Sequence, residues 1–436
     1  MNSKQPQVTL FWFRRDLRLE DNAALYQALK NHENVLPLFI FDKTILKDLP
    51  VDDLRVLFIY RSIQKIKNEL QKKGSDLHVV YGQPLEIFKK LVKQFQIGAV
   101  YANHDYEPAA TKRDSEIQKF CEANQIQFLT SKDQCIFEKS EILTDQQKNY
   151  TVFTPYKKKW LTALSPFYLK PYQNEIYEKN YLKVKKASPL IALDEMNFID
   201  QKFQFPDSQV SLQTLRNYGE ERDFPELDAT SRLGIHLRFG TVSPRLLASL
   251  GQKHSAVWLS ELIWRDFFMQ ILWHFPHVEK LSFRPQFEKI AWRSESSEFR
   301  KWCVGLTGYP MVDAGMRQLN ATGFMHNRVR MVVASFLTKH LLMHWYQGER
   351  YFAEKLLDYD LSANSGNWQW AAGTGCDAAP YFRIFNPTSQ LQRFDPDLKY
   401  IKKWIPEYGT DKYIGPMVDH TFARDRALAE FKRALK

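Results

Sequence analysis

The chain has 436 residues, enough for two or three domains, with 44% hydrophobic and 25% charged residues. That balance excludes wholesale disorder, and no apolar run approaches the roughly 18 residues of a membrane-spanning helix, so no membrane association is expected. Basic residues exceed acidic ones by 11, and 14% of residues are aromatic, which favours an anionic or flat partner without identifying one.

The bases are unevenly placed. Residues 1–208 hold 6 Arg and residues 209–436 hold 18, together with 9 of the 11 Trp. Arginine offers a planar fork to phosphate and stacks on rings. An Arg- and Trp-rich region therefore suggests phosphates beside aromatic bases, or more plainly a basic surface over a Trp-rich core. The N-terminal apolar run, Val8 to Phe13, is too short for a signal peptide and is followed by charge, so a cytoplasmic protein is expected. Cys121, Cys135, Cys303 and Cys376 show no metal spacing and read as free thiols. No metal site is expected.

In chain order, VTLFWF (8–13) predicts a buried strand and 22–31 a helix. VLPLFIF (35–41) predicts a second strand, followed by an amphipathic helix over 54–73. DLHVVYG (76–82) is a third strand, with a helix that Pro84 opens. AVYANH (99–104), a helix over about 111–124 and IQFLTS (126–131) complete the series. Strands alternating with helices predict βαβ units and a Rossmann-like parallel sheet, with ligands bound at the carboxyl ends of its strands. The first turn, FRRDLRLEDN, carries no GxGxxG, which disfavours a nicotinamide dehydrogenase. Arg14, Arg15 and Arg18 there either hold an anion or bridge to acidic neighbours.

The alternation stops over 132–208, which reads as an inter-domain connector with a few helical turns. From 209 the periodicity is helical almost to the end. The strings 256–275 and 329–346 are apolar on more than one side and predict buried helices. The predicted organisation is an α/β domain (1–131), the connector (132–208) and an all-α domain (209–436). No heptad seam appears, so a monomer is expected.

Several residues read two ways. The string TSRLG (230–234) has the hydroxyls and amides of a helix start, which suits a cap or a diphosphate. Glu261 and Arg265, at i and i+4, suggest an ordinary helix ion pair. Asp358, Asp360 and Asn364 span less than two helical turns and include a candidate cap.

The strings RDFPELDATSRLGIHLRFGTVSPR (222–245), WLSELIWRDFF (258–268), LTGYPMVDAGMRQLNATGFMHNRVRM (306–331) and LLDYDLSANSGNWQWAAGTGCDAAPYFRIFNP (356–387) resemble the DNA photolyase/cryptochrome family, most closely its class I cyclobutane pyrimidine dimer photolyases. FWFRRDLRLEDN and VFTPYKKKW fit the same family, so the resemblance covers nearly the whole chain. It implies an α/β domain, a connector and a helical domain that buries FAD. It also implies a lyase reaction on UV-damaged DNA, in which reduced FAD excited by blue light donates an electron to a flipped-out dimer, the dimer splits and the electron returns.

The resemblance assigns Tyr218, Thr230, Ser231, Arg232, Leu233, Gly234, Trp258, Arg265, Asn327, Arg330, Asp358, Asp360 and Asn364 to the cofactor, with Arg330 paired to Asp358 and Asn364 at the flavin's N5. Glu261 is turned into the dimer pocket, where its carboxyl would stabilise the dimer radical anion. Trp264 and Trp370 form the pocket walls, Asn327 and Met331 are the cyclobutane-dimer pattern, and Arg328 and Arg383 contact phosphates beside the lesion. Trp302, Trp345 and Trp368 match an electron-transfer chain from the surface. Phe324 stands where close relatives have Trp. After Tyr106 and Glu107 come Pro108, Ala109 and Ala110 in place of the polar anchors of folate-holding members. Folate is thus disfavoured as a second antenna chromophore, and a deazaflavin, another flavin or none stay open. The other readings are a cryptochrome-type light receptor, against which the intact dimer pocket and lack of a C-terminal tail count, and a nucleic-acid-binding module without catalysis.

Overall fold

The computed structural model describes residues 7–436; the first six residues of the N-terminal reading lie outside the described residues. The chain divides into two compact units. Among the described residues one comprises 7–138, 164–209 and 232–250; the other comprises 139–163, 210–231 and 251–436.

The first unit is built on a parallel sheet of β1 (Val8–Phe13), β2 (Val35–Asp42), β3 (His78–Gly82), β4 (Ile97–Asn103) and β5 (Gln127–Ser131), in the order β3-β2-β1-β4-β5. All six residues of β1 are buried, as expected when helices cover both faces of a parallel sheet and the strand must be apolar on both sides. Asn22 starts the helix Ala23–Asn31 by accepting from Leu25 N. Pro84 and Pro108 open the helices Pro84–Gln94 and Pro108–Ala123, where a missing N–H costs nothing. The second of these begins three residues earlier than the apolar pattern suggested.

A buried ionic cluster ties the unit together. Arg245 donates to Asp21 Oδ1 at 2.8 Å and Asp133 Oδ1 at 2.7 Å, and Arg18 donates to Asp133 Oδ2 at 2.6 Å. Burial alone would raise the Asp133 carboxyl, but the two guanidiniums pull it below its ordinary value. Arg18 therefore bridges to an acidic neighbour. Gly240 has φ +65°, and a Cβ there would lie 2.2 Å from Arg15 O, so only glycine fits against the turn after β1.

The stretch 132–208 is not a separate connector. Residues 139–163 pack in the second unit and 164–209 in the first, and it includes a three-turn helix, Phe153–Ala163, whose Trp160 is fully buried.

The second unit is helical. The string 256–275 forms one buried helix, Ala256–His274. The string 329–346 does not form one helix. The helix Asn327–Ser335 passes into a π-turn, Phe336–His340. The chain turns at Leu342 (φ 51°), and His344 caps a new helix, Trp345–Lys355, by accepting from Tyr346 N at 3.1 Å. Both pieces are buried, and so are Thr338, Lys339 and His340 between them, so the apolar residues on either side hide the turn. Lys339 in the π-turn is buried and donates to Ala372 O at 2.7 Å, at the end of the helix Leu361–Ala372. Among the described residues no helix is long and apolar enough to cross a membrane, and all four cysteines are buried thiols outside any disulfide.

Candidate active site

The helix Leu361–Ala372 carries one wall of a cavity of about 90 Å³ in the second unit. Asp360 caps the helix, its Oδ1 accepting from Ser362 N at 3.1 Å and Ala363 N at 3.3 Å. Asn364, Trp368 and Trp370 face the cavity from this helix. Asn327, Arg330 and Met331 face it from the helix Asn327–Ser335, and Asp358 from the preceding turn. Close backbone approach seats the rings: a Cβ on Gly348 would lie 2.1 Å from Trp368 Cη2, and one on Gly366 2.1 Å from Phe268 Cδ1.

Arg330 donates from Nη2 to both oxygens of Asp358, at 2.9 and 3.2 Å, and from Nε to Met325 O at 2.8 Å. The expected pair is thus formed. Asn364 Nδ2 donates to Glu349 Oε1 at 2.9 Å and to Glu349 O at 3.1 Å. Its NH₂ is committed to Glu349, so its Oδ1 is the atom left to meet a ligand. Glu349 is 2% exposed. Burial pushes its carboxyl up to about 7, against hydrogen bonds from Asn364 and Tyr359 that lower it. Sequence reasoning missed Glu349, which on its own helix looks like one more charge.

A second cluster forms around the turn after the helix Leu212–Glu221. Arg222 forms an ion pair with Glu261 and lies over the Tyr218 ring, 5.7 Å from its centroid. Glu261 takes its partner from this distant turn. Burial raises the Glu261 carboxyl above its ordinary value while Arg222 draws it down. The next residue, Asp223, accepts from Arg328 Nη2 at 2.7 Å. Neither Arg222 nor Asp223 was singled out from the sequence.

Trp264 does not stand free as a wall. It lies parallel to Phe153 at 3.6 Å, with an interplanar angle of 6°. One face is therefore covered by the protein. Trp258 is buried, and its Nε1 lies 3.4 Å from Ser231 Oγ. Thr230 and Ser231 belong to the second unit and Arg232, Leu233 and Gly234 to the first. Arg232 has φ 50°, and Gly234 starts a helix of only six residues. Arg265 is half-buried and Arg383 exposed.

The three expected electron-transfer tryptophans are all buried: Trp302 and Trp345 at 0% exposure and Trp368 at 2%. Trp302 lies 6.1 Å from Trp368 between ring centroids. It cannot serve as the surface end of a chain, because none of it is at the surface. Trp292, overlooked in the sequence, is half-buried. Its ring lies 5.3 Å from His344, which lies 5.6 Å from Trp345.

In the first unit a cleft of about 520 Å³ opens at the carboxyl ends of β1 to β4, where parallel sheets bind ligands. Its arginines are engaged. Arg15 reaches Asp105 at 3.2 Å and Glu107 at 2.8 Å, Arg238 pairs with Glu107 and Arg14 with Asp114. Of the two readings of Arg14 and Arg15, the structure bears out the bridges. Among the described residues no cluster of three or more His, Cys, Asp or Glu is placed to hold a metal.

Residues 258–411 match the family described as "FAD binding domain of DNA photolyase", and residues 9–174 match "DNA photolyase". The deoxyribodipyrimidine photo-lyase of Salmonella typhimurium is 36% identical over 98% of this chain and 99% of its own length. The chain belongs to the DNA photolyase family. Among solved photolyase structures, the fold is similar to a bacterial class III photolyase from Agrobacterium tumefaciens (TM-score 0.88, 31% identity, 100% and 99% of the two chains). It is also similar to an archaeal photolyase from Sulfolobus tokodaii with two FAD molecules (TM-score 0.84, 33% identity, 98% and 100%).

The cavity of this photolyase fits the flavin of FAD by its chemistry. Phe352, Leu356 and Ala371 give a flat ring an apolar bed. The Arg330–Asp358 pair and the Asn364 oxygen supply both charges and an acceptor for its polar edge.

Proposed function

We propose that this chain is a light-driven lyase that splits cyclobutane pyrimidine dimers in DNA. The observation that carries the reading is the convergence of Asn327, Met331 and Trp370 with Arg330–Asp358 and Asn364 on one cavity. Bound FAD, reduced and excited by blue light, supplies the electron that splits the dimer and takes it back.

The protein's residues bind, orient and exclude water. Asn364, its NH₂ held by Glu349, would offer an acceptor oxygen to the cofactor at its N5 edge. Arg330 and Asp358 would offer the ring's polar edge a fixed ion pair, and Asp360 sets the helix that carries Asn364. Within the second unit, Tyr218, Thr230, Ser231, Trp258 and Arg265 are read as further cofactor contacts. A flipped dimer stacks on Trp370, each stacked base returning about 1–3 kcal/mol of the few kcal/mol that flipping costs. Trp264, one face covered by Phe153, packs by its remaining surface. Glu261, its carboxyl raised by burial and held by the Arg222 guanidinium, would face the dimer as part of that charged pair. Arg328 and Arg383 take the phosphates flanking the lesion. Replacement electrons would enter at the half-buried Trp292 and pass through Trp345 to Trp368 on the cavity wall, with Trp302 as packing.

The cleft in the first unit is read as the seat of a second, light-gathering chromophore. Its arginines are already neutralised by carboxylates, which favours a ring over a phosphate-rich ligand, and Pro108, Ala109 and Ala110 count against folate. We read the protein as a cytoplasmic monomer.

The deciding experiment is blue-light splitting of a defined thymine dimer in an oligonucleotide, beside a (6-4) photoproduct and a dark control. Splitting of the cyclobutane dimer alone is expected. No splitting of either lesion, with FAD bound and photoreducible, would replace the lyase by a cryptochrome-type light receptor on the same scaffold.

A further inference from the structure

The turn residues Arg222 and Asp223 sit side by side in sequence and hold opposite partners. Arg222 pairs with Glu261 and Asp223 with Arg328. Arg328 adjoins Asn327 on the cavity wall. Its guanidinium has five N–H donors. One of them donates to Asp223 Oδ1 at 2.7 Å, the Nε is buried without a partner, and the group lies 4.3 Å from the Phe394 ring centroid. The ring fixes the plane of the fork. The carboxylate is the more exposed partner, at 38% against 17% for the arginine side chain. Carboxylate and phosphate present similar paired oxygens to such a fork.

We propose that Asp223 is a placeholder for DNA phosphate on Arg328. It holds the fork in the free protein and is displaced when a phosphate arrives, so every DNA contact at this point competes with an internal anion. The proposal rests on the reading of Arg328 as a phosphate contact. A partly exposed ion pair contributes little, so the barrier it sets is low. It weakens loose contact with undamaged duplex, while a lesion that also fills the pocket overcomes it.

The test measures dissociation constants of the FAD-loaded protein for an undamaged duplex oligonucleotide in the dark at fixed salt. Asp223→Asn is expected to tighten binding by about fivefold, the upper end of what such a pair is worth. Asp223→Glu, which keeps the charge, is expected to stay near the parent. Asp397→Asn removes a 66%-exposed carboxylate three residues beyond Phe394 and releases its partner Lys399, and so reports the effect of lost charge and a freed cation away from Arg328. The decisive arm is the double variant: in an Arg328→Gln background the gain from Asp223→Asn is expected to vanish. An equal gain in both backgrounds, a gain matched by Asp397→Asn, a loss of affinity in Asp223→Asn or a Glu variant that behaves like Asn would each overturn the placeholder while leaving Arg328 as a phosphate contact. Undiminished DNA binding by Arg328→Gln alone would overturn both.

Discussion

Glu349 and Asn364 are joined twice: the Asn364 amide donates to the Glu349 carboxyl at 2.9 Å and to its backbone carbonyl at 3.1 Å. The pairing fixes which end of Asn364 faces the cavity, and it does so through a carboxyl that burial has pushed up to about 7 from an ordinary 4.5. The sign of the linkage follows. As pH rises from 4.5 to about 7 the unfolded chain gives up a proton that the folded chain keeps. Stability contributed by Glu349 is therefore complete below 4.5, falls across that window by roughly 3 kcal/mol, and is level above it. Glu349→Gln is expected to flatten this part of the profile, as read by urea unfolding at several pH values. Equal slopes in parent and variant would show that Glu349 does not titrate there.

Trp370→Ala is expected to weaken binding of dimer-containing DNA by about 1–3 kcal/mol, the value of one stacked base. Binding of undamaged duplex should hardly change, since only a flipped lesion reaches this wall. Parallel losses on both DNAs in a titration would remove Trp370 from the lesion pocket.

Phe153 is 7% exposed and stacked on Trp264. Phe153→Ala is expected to cost about 3–5 kcal/mol of stability as a cavity-forming change. A double-mutant cycle with Trp264→Ala should return a coupling of about 0.5–1.5 kcal/mol for the ring pair. Additive losses in thermal unfolding would show that the stack contributes nothing beyond its area.

Among the tryptophans, Trp368→Phe is expected to stop light-driven reduction of bound flavin by an external thiol, and Trp292→Phe to slow it. Trp302→Phe should leave the rate near the parent's while lowering the melting temperature, because its place is in the core. A large rate loss in Trp302→Phe with a normal rate in Trp292→Phe, followed by flavin absorbance, would reverse the route.

The sheet was legible because its rules are local. VTLFWF and VLPLFIF are apolar without alternation, as strands covered on both faces must be, and Pro84 marks a helix start, whereas the start at Pro108 was placed three residues too late. The break between Phe336 and His344 was not legible, since apolar residues flank it on both sides and its own Thr338, Lys339 and His340 are buried as the helices are. The Arg330–Asp358 pair was expected from family resemblance. The partners of Asn364 and Arg328 were hidden: Glu349 lies on another helix, and Asp223 lies 105 residues before Arg328. Spacing exposes neighbours on one element, whereas these contacts exist only once several elements pack. Burial misled in the opposite direction at Trp302, whose place in a motif says nothing about its distance from solvent.

All five strands of the sheet are complete at Ser131, yet the guanidinium that pairs with Asp21 and joins Arg18 on Asp133 lies 224 and 112 residues further on, at Arg245. A ribosome delivering this chain releases the whole sheet long before that counter-ion emerges. Until Arg245 arrives, the nascent domain must either enclose carboxylates short of a cation or leave that corner open to water. Opening is the less costly choice, so the sheet domain is expected to close last at the corner it began to build first.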